Sequence, residues 1–312
     1  MKVGLDIMGG DFAPEATVRG AILAAKSIPE EVKLVLIGDE QKITSVNEFK
    51  KLNSPNIEIV HTPEYITMGE HPAKAFSKKT NASIVLGYKL LQTGKIDGFA
   101  SAGNTGAMLV GAMHMVKSIP GIIRPCITVA VPKPDNKHTL ILDVGINPDS
   151  KPDVLYQYAI LGTLYAKYML GIQSPKVGLL NIGIEEEKGN LLTKSTYQAM
   201  KDTSDFNFIG NVEGNDIFDD KVDVIVCDGF VGNVVLKQIE AFYELIKRQV
   251  TNNDYFEKYN YVNYGGTPIL GINAPVIIGH GISNEIAIKN IILNTIKVIK
   301  ANLINKFKEA FR

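Results

Sequence analysis

Along the chain a short apolar run gives way to Gly, Asn or Asp, and then to a longer segment whose apolar residues recur at helical spacing. The runs 3–6, 33–37, 57–60, 98–101, 127–131, 140–144, 177–181, 207–209, 224–227 and 276–279 read as strands. Several are apolar at consecutive positions (LVLI, LILDV, VIVC), so both of their faces must be covered, as in a parallel sheet. Segments 16–27, 83–93, 105–117, 153–170, 191–200, 233–250 and 285–300 read as helices. Strand and helix alternating in this way predict right-handed βαβ units and a doubly wound α/β sheet. The Pro-rich stretch 120–134 is a candidate boundary between two lobes. From Ile286 onward the chain is apolar and basic, with Glu309 its only acid. This tail is expected to pack its Ile/Leu face on the sheet, an anionic membrane being the competing surface.

In open α/β sheets ligands bind outside the carboxyl ends of the strands. The first strand is followed by IMGGDFAPE (7–15) and the fourth by SAGNTGA (101–107). Later strands lead into DVGINPD (143–149), NIGIEEEKGN (181–190), GNVEGND (210–216), DGFVGNVV (228–235) and GHGISN (279–284). Gly and Asn serve ordinary tight connections too, but their density on one edge points to a site. In SAGNTG, the residues Gly103, Asn104, Thr105 and Gly106 open a helix. Glycine admits close approach there, and the helix start offers unpaired N–H groups and a positive dipole end, suited to phosphate. Asn104 or Thr105 equally suits a plain N-cap. DGFVGNVV repeats the arrangement with Gly229, Gly232 and Asn233. Neither turn is a Walker loop or G-x-G-x-x-G, so a nucleotide is not expected.

Lys188 stands beside three glutamates and Gly189, placed either to meet a phosphate or oxyanion or to belong to a solvated charge cluster. Asp6, before Gly9 and Gly10, is an orienting carboxylate or an acceptor for the amides of its own turn. His280, between glycines, is a candidate polar group, whereas His114 on a helix is expected to pack. Cys126 and Cys227 lie in apolar runs and read as buried small hydrophobes.

Composition narrows the classes. Basic and acidic residues number 33 each in 312, so there is no global nucleic-acid signal. Hydrophobic residues at 45% and charged ones at 21% suit a folded chain with a sizeable core. The opening MKVGLDIMGGDF acquires Gly and Asp too early for a signal peptide. No apolar run reaches the roughly 18 residues of a spanning helix, and two separated cysteines suit a reducing compartment. A cytoplasmic protein is expected. Without a Gly-x-Ser-x-Gly elbow or a His-x-x-x-His pair, neither triad hydrolysis nor a zinc site is expected.

The blocks LDIMGGDFAPE, SAGNTGAM, ILDVGIN, VGLLNIGIEEEKGN, FIGNVEGNDI, CDGFVGNVVLK, YGGTPILG and GHGISNEIAIKN occur in this order. Together they resemble the phosphate acyltransferases of the PlsX type, from Met1 to about Lys300. The resemblance implies a three-layer α/β/α sandwich with a largely parallel sheet, like that of isocitrate and isopropylmalate dehydrogenases and of phosphotransacetylases. It implies one such domain over residues 1–312, a homodimer, and no metal or cofactor. The implied reaction moves a fatty acyl group from an acyl-carrier-protein thioester to inorganic phosphate, giving acyl phosphate for phospholipid synthesis.

On that reading Gly103, Asn104, Thr105 and Gly106 hold phosphate with Gly232 and Asn233. Lys188 neutralises transition-state charge, His280 protonates the leaving thiolate, and Asp6, Gly9, Gly10 and Asp228 line the site. An acidic carrier would meet Lys78 and Lys79, or Lys247 and Arg248. A membrane surface and a membrane-bound downstream acyltransferase are further implied partners. Phe12 stands where the family commonly has histidine, Asn81 where it commonly has aspartate, and 237–264 is shorter than in many relatives. Rival readings are a phosphotransacetylase using acyl-CoA, a metal-dependent dehydrogenase of the same fold, and a non-catalytic module that binds phosphate or an acyl carrier.

Overall fold

The structure is a computed structural model that describes residues 1–50, 55–134, 137–249 and 254–312. The first part runs β1 (Lys2–Asp6), α1 (Glu15–Ala25), β2 (Lys33–Gly38), α2 (Glu40–Ser45), α3 (Asn47–Lys50) and β3 (Ile57–His61). It continues with α4 (Pro72–Lys78), α5 (Ser83–Gln92), β4 (Gly98–Ser101) and α6 (Thr105–Gly111), which leads into a π-helical turn at Ala112–Val116. Next come β5 (Cys126–Pro132), β6 (His138–Leu142), α7 (Pro152–Met169), β7 (Lys176–Leu180), α8 (Leu191–Met200) and β8 (Asn207–Val212). After a 3-10 turn (Gly214–Phe218) follow β9 (Val224–Val226), α9 (Gly229–Gln249) and α10 (Asp254–Glu257). The last elements are β10 (Thr267–Leu270), β11 (Val276–Ile278), α11 (Glu285–Lys300) and α12 (Leu303–Ala310). The chain divides into two compact units, Met1–Lys117 with Tyr261–Lys300 and Ser118–Asn260 with Ala301–Arg312. That division begins just ahead of the Pro-rich stretch expected to mark a boundary.

In the first unit the strands lie in the order β3-β2-β1-β4-β11-β10, parallel except for β10 against β11. Right-handed crossovers that step one way from β1 to β3 and the other way from β3 to β4 place helices on opposite faces. Strand β4 shows both. A Cβ on Gly98 would meet Thr295 and Ile299 of α11 at 2.9 Å. On the other face the Phe99 ring stands edge-on to Tyr88 of α5, centroids 5.2 Å apart.

The second unit has the order β5-β6-β9-β7-β8, with β5 antiparallel to β6 and the rest parallel. Successive residues again serve opposite faces. Leu142 and Val224 pack against Gly162 of α7, while Ile141 and Ile225 join a cluster covered by Val235, Leu236 and Ile239 of α9. Each unit is therefore helix on sheet on helix, the three-layer α/β class expected.

Several elements differ from the sequence reading. Strand β10 was not anticipated, because its four residues contain Pro268 and lie between positive-φ glycines at 265, 266 and 271. Helices α2, α3, α4 and α10 are too short to show a period. Helix α9 starts at Gly229, four residues ahead of the expected Asn233, and the expected end at Val250 lies outside the described residues. The basic tail is two helices, since Asn302 takes a left-handed conformation (φ 53°) between them. Its apolar faces are occupied: α11 buries Ile288, Ile291, Ile292 and Ile296, and α12 buries Leu303 and Phe307. His114 is exposed instead of packed. Both cysteines are buried, and burial pushes their thiols up, away from the reactive thiolate. No described helix is long and apolar enough to cross a membrane.

Candidate active site

In the first unit β1 and β4 are neighbours at the point where the strand order reverses, the usual place for a ligand in an open α/β sheet. Asp6, which ends β1, is fully buried. Its Oδ1 accepts the Met8 amide at 3.0 Å, and its Oδ2 accepts the Ser101 hydroxyl at 2.7 Å. Ser101 Oγ in turn accepts the Gly103 amide at 2.9 Å. One buried carboxylate thus ties the MGG turn to the SAGN turn. Gly9 fills the remaining space, since a Cβ there would meet Asp6 Oδ2 at 2.5 Å, Gly103 N at 2.6 Å and Ser101 Oγ at 2.7 Å. The carbonyl of Gly281 accepts the Asp11 amide at 2.8 Å, which adds the GHGIS loop to the same cluster and leaves His280 exposed on it. The His280 carbonyl accepts the Ser283 hydroxyl at 2.6 Å, and Phe12 projects outward nearby.

Asn104 takes the N-cap role, one of the two readings its position allowed. Its buried side chain caps α6, Oδ1 accepting the Ala107 amide at 3.0 Å. Its Nδ2 donates to the carbonyls of Thr67, Met68 and Glu70 at 3.1, 3.2 and 3.0 Å. With every polar atom of that side chain engaged, a ligand at this turn meets backbone. Among the described residues no acceptor meets the amides of Thr105 and Gly106, and Thr105 is exposed.

In the second unit Asp143 follows β6 and is fully buried. Its Oδ1 accepts the Ile127 amide at 3.1 Å, and its Oδ2 accepts the Asn147 amide at 2.7 Å and Asn147 Nδ2 at 3.2 Å. The Asn147 carbonyl accepts the Gly229 amide at 2.8 Å, so this turn carries the start of α9. Gly229 and Gly232 are glycine because the helix sits directly on that turn. A Cβ on Gly229 would lie 2.8 Å from Asp143 Oδ2, and one on Gly232 would run into the Asp143 carbonyl. Gly232 is therefore a buried packing contact. Asp228 Oδ1 caps the helix, accepting the Phe230 and Val231 amides at 3.0 and 2.9 Å. Asn233 donates from Nδ2 to the Val144 carbonyl at 3.2 Å and is otherwise exposed.

Lys188 lies in the loop after β7, on the same carboxyl edge of this unit's sheet. Its stem packs near Gly183, and its carbonyl accepts Asn181 Nδ2 at 3.1 Å. Glu186 is drawn off to Gln198 and to Lys201 at 3.3 Å, and these partners hold its carboxyl below the usual range. Among the described residues no carboxylate pairs with the exposed Lys188 ammonium. Asp6, Gly9, Gly10, Gly103 and the His280 loop are thus gathered in the first unit. Asp228, Gly232 and Asn233 are gathered in the second, with Lys188 further along its edge. The residues the sequence reading missed are Ser101, Asp143 and Asn147. GLDIMGG and ILDVGIN carried the signal, a charged residue closing an apolar strand ahead of glycine.

Burial pushes the Asp6 carboxyl up from 3.8, with the Ser101 and Met8 hydrogen bonds opposing it. Between 3.8 and the raised value the native state holds a proton that the unfolded chain has released, so stability falls as pH rises through that window. Asp6→Asn removes this contribution. The Tm of wild type minus that of the variant should move against the wild type as pH rises from about 3.5 to about 7. A difference that does not vary with pH contradicts the assignment.

The fold is that of phosphotransacetylases. EutD phosphotransacetylase from Staphylococcus aureus superposes with a TM-score of 0.64 at 18% identity, over 96% of this chain and 94% of that one. A phosphotransacetylase from Streptococcus pyogenes gives 0.65 at 17% identity, over 97% and 94%. The fold extends to 4-hydroxythreonine-4-phosphate dehydrogenase from Klebsiella pneumoniae (0.55, 10% identity, 96% and 98%). Sequence is more specific. A family model described as fatty acid synthesis protein matches residues 1–306. The phosphate acyltransferase of Halothermothrix orenii is 42% identical over 331 aligned positions, 99% of this chain and 98% of that one. That of Aquifex aeolicus is 43% identical over 93% of this chain and 90% of its own length. The chain belongs to this family, the phosphate acyltransferases of fatty acid and phospholipid synthesis.

Proposed function

We propose that this enzyme takes its acyl group from the thioester of acyl carrier protein and delivers it to inorganic phosphate, releasing acyl phosphate for phospholipid synthesis. Acyl transfer to phosphate comes with the family; the carrier as donor is the finer reading. The observation that best supports phosphate as the acceptor is the pair of glycine turns locked onto buried carboxylates, with the first-turn amides of Thr105 and Gly106 left for a small anion. A phosphate oxygen attacks the thioester carbonyl, the new C–O bond forms, and the tetrahedral oxyanion collapses. The C–S bond then breaks, and the thiolate leaves and takes a proton.

Phosphate is already a competent nucleophile, so no covalent side-chain intermediate is required, and catalysis rests on position and preorganised charge. In this reading the amides of Thr105 and Gly106 offer a phosphate site in the first unit, where His280 supplies the proton, and in the second unit Asn233 and Lys188 offer groups for phosphate and for developing negative charge. Residues 1–312 act as one catalytic domain. A cytoplasmic homodimer with peripheral membrane contact completes the reading. The membrane contact is supported by the exposed apolar stripe Phe230, Val234 and Leu245 on α9.

Donor choice tests it. With one acyl chain offered on carrier protein and on coenzyme A, kcat/KM should favour the carrier thioester by roughly tenfold or more, about 1.4 kcal/mol of transition-state binding. Equal or reversed preference would leave a phosphotransacetylase working on acyl-CoA.

A further inference from the structure

The second unit contains a cavity of about 530 Å³ that the reaction as described does not use. Ile217 and Phe218 of the 3-10 turn line one side, and Val235, Ile239, Phe242 and Ile246 of α9 line another. Among the described residues that line it, only Gln238 and two tyrosines bear polar side-chain atoms, and the Tyr243 hydroxyl is turned to Glu257 at 3.1 Å. The volume is that of a ligand site, and the lining suits a wholly apolar ligand.

Position and length suggest which one. The α9 residues that line the cavity follow i, i+4 and i+7 spacing from Val235, so they form one stripe of the helix. Val231, four residues before Val235 in the first turn of α9, is exposed and extends that stripe to the capped helix start. From Val235 to Ile246 the helix rises about 16 Å at roughly 1.5 Å per residue. One layer of acyl chains fills about 15 Å, half of a hydrocarbon core of roughly 30 Å. The exposed stripe of Phe230, Val234 and Leu245 lies to one side of this track and is separate from the cavity.

We propose that this cavity receives the long acyl chain of the donor and of the acyl phosphate product, the chain running from the first turn of α9 along Val231 and Val235. The proposal rests on acyl transfer to phosphate as the function. It makes the α9 wall the determinant of chain length, since each methylene placed in or kept out of an apolar pocket changes selectivity by about 10- to 200-fold.

Two readouts test it. Ile239→Phe fills the cavity from its floor. The ratio of kcat/KM for hexadecanoyl over butanoyl carrier thioester should then fall by roughly tenfold or more; an unchanged ratio overturns the proposal. The chain has no tryptophan, so Phe242→Trp installs a single reporter on the rim. Its emission should shift to the blue on titration with hexadecanoyl phosphate and not with acetyl phosphate. That binding readout needs no turnover. An enzyme inactive with every donor, yet blue-shifted by hexadecanoyl phosphate, would sink the proposed reaction and keep the cavity. Emission that follows protein concentration and ignores hexadecanoyl phosphate would assign the face to a contact between copies and overturn the proposal.

Discussion

Gly9→Ala is expected to lower kcat/KM by about 100-fold and to destabilise the fold by about 1–3 kcal/mol. The added methyl has nowhere to go. It would sit 2.5 Å from Asp6 Oδ2, 2.7 Å from Ser101 Oγ and 2.6 Å from the Gly103 nitrogen. The first two atoms form the hydrogen bond that joins the turns, and the third is backbone and cannot rotate away. The SAGN turn must therefore shift, carrying the Thr105 and Gly106 amides with it, and a displacement near 1 Å costs about 100-fold in a positioned reaction. Gly69→Ala is the control, because a Cβ there meets nothing within 4 Å. Steady-state rates and thermal melts of both variants check this. Wild-type turnover in Gly9→Ala would show that the coupling of the two turns is irrelevant to activity.

Lys188→Ala is expected to lower kcat by roughly 100- to 1000-fold while leaving Tm unchanged. Stability is spared because the side chain is exposed and makes no ion pair among the described residues. Rate is lost because an unpaired ammonium on the edge proposed to handle phosphate is free to meet charge that develops only in the transition state. Asn233→Ala should lose rate to a similar extent and, among the described residues, give up one side-chain hydrogen bond, to the Val144 carbonyl. A kcat near wild type in both variants would move the cationic role elsewhere.

The sequence was a good guide to the fold for a physical reason. Strands such as Leu34–Ile37 and Val224–Val226 are buried on both faces, so their apolar runs are unbroken and easy to find. Helices long enough to show a period were legible too, and α8 and α11 have the bounds that period predicted. Strand β10 was hidden by Pro268, and the break at Asn302 by the helix-friendly residues around it.

The site was legible as a set of turns and less so as a set of roles. Glycine density located the MGG, SAGNTG and GFVGN turns, but spacing does not show what a glycine faces. Gly232 faces the Asp143 carbonyl, and the Asn104 side chain faces its own helix and three carbonyls of the loop at Thr67–Glu70. Ser101, Asp143 and Asn147 were missed because a buried hydrogen-bonding role leaves no periodic trace. The repeated Leu-Asp at two strand ends was the one clue.

The most direct test combines two signals in one tube. Enzyme, inorganic phosphate and acyl-carrier-protein thioester are followed by phosphorus NMR for acyl phosphate and by a thiol reagent for freed carrier. Direct transfer from carrier to phosphate predicts acyl phosphate and free thiol rising together in equal amounts, with both signals absent when phosphate is omitted. Thiol released without acyl phosphate, or release that proceeds without phosphate, would contradict it.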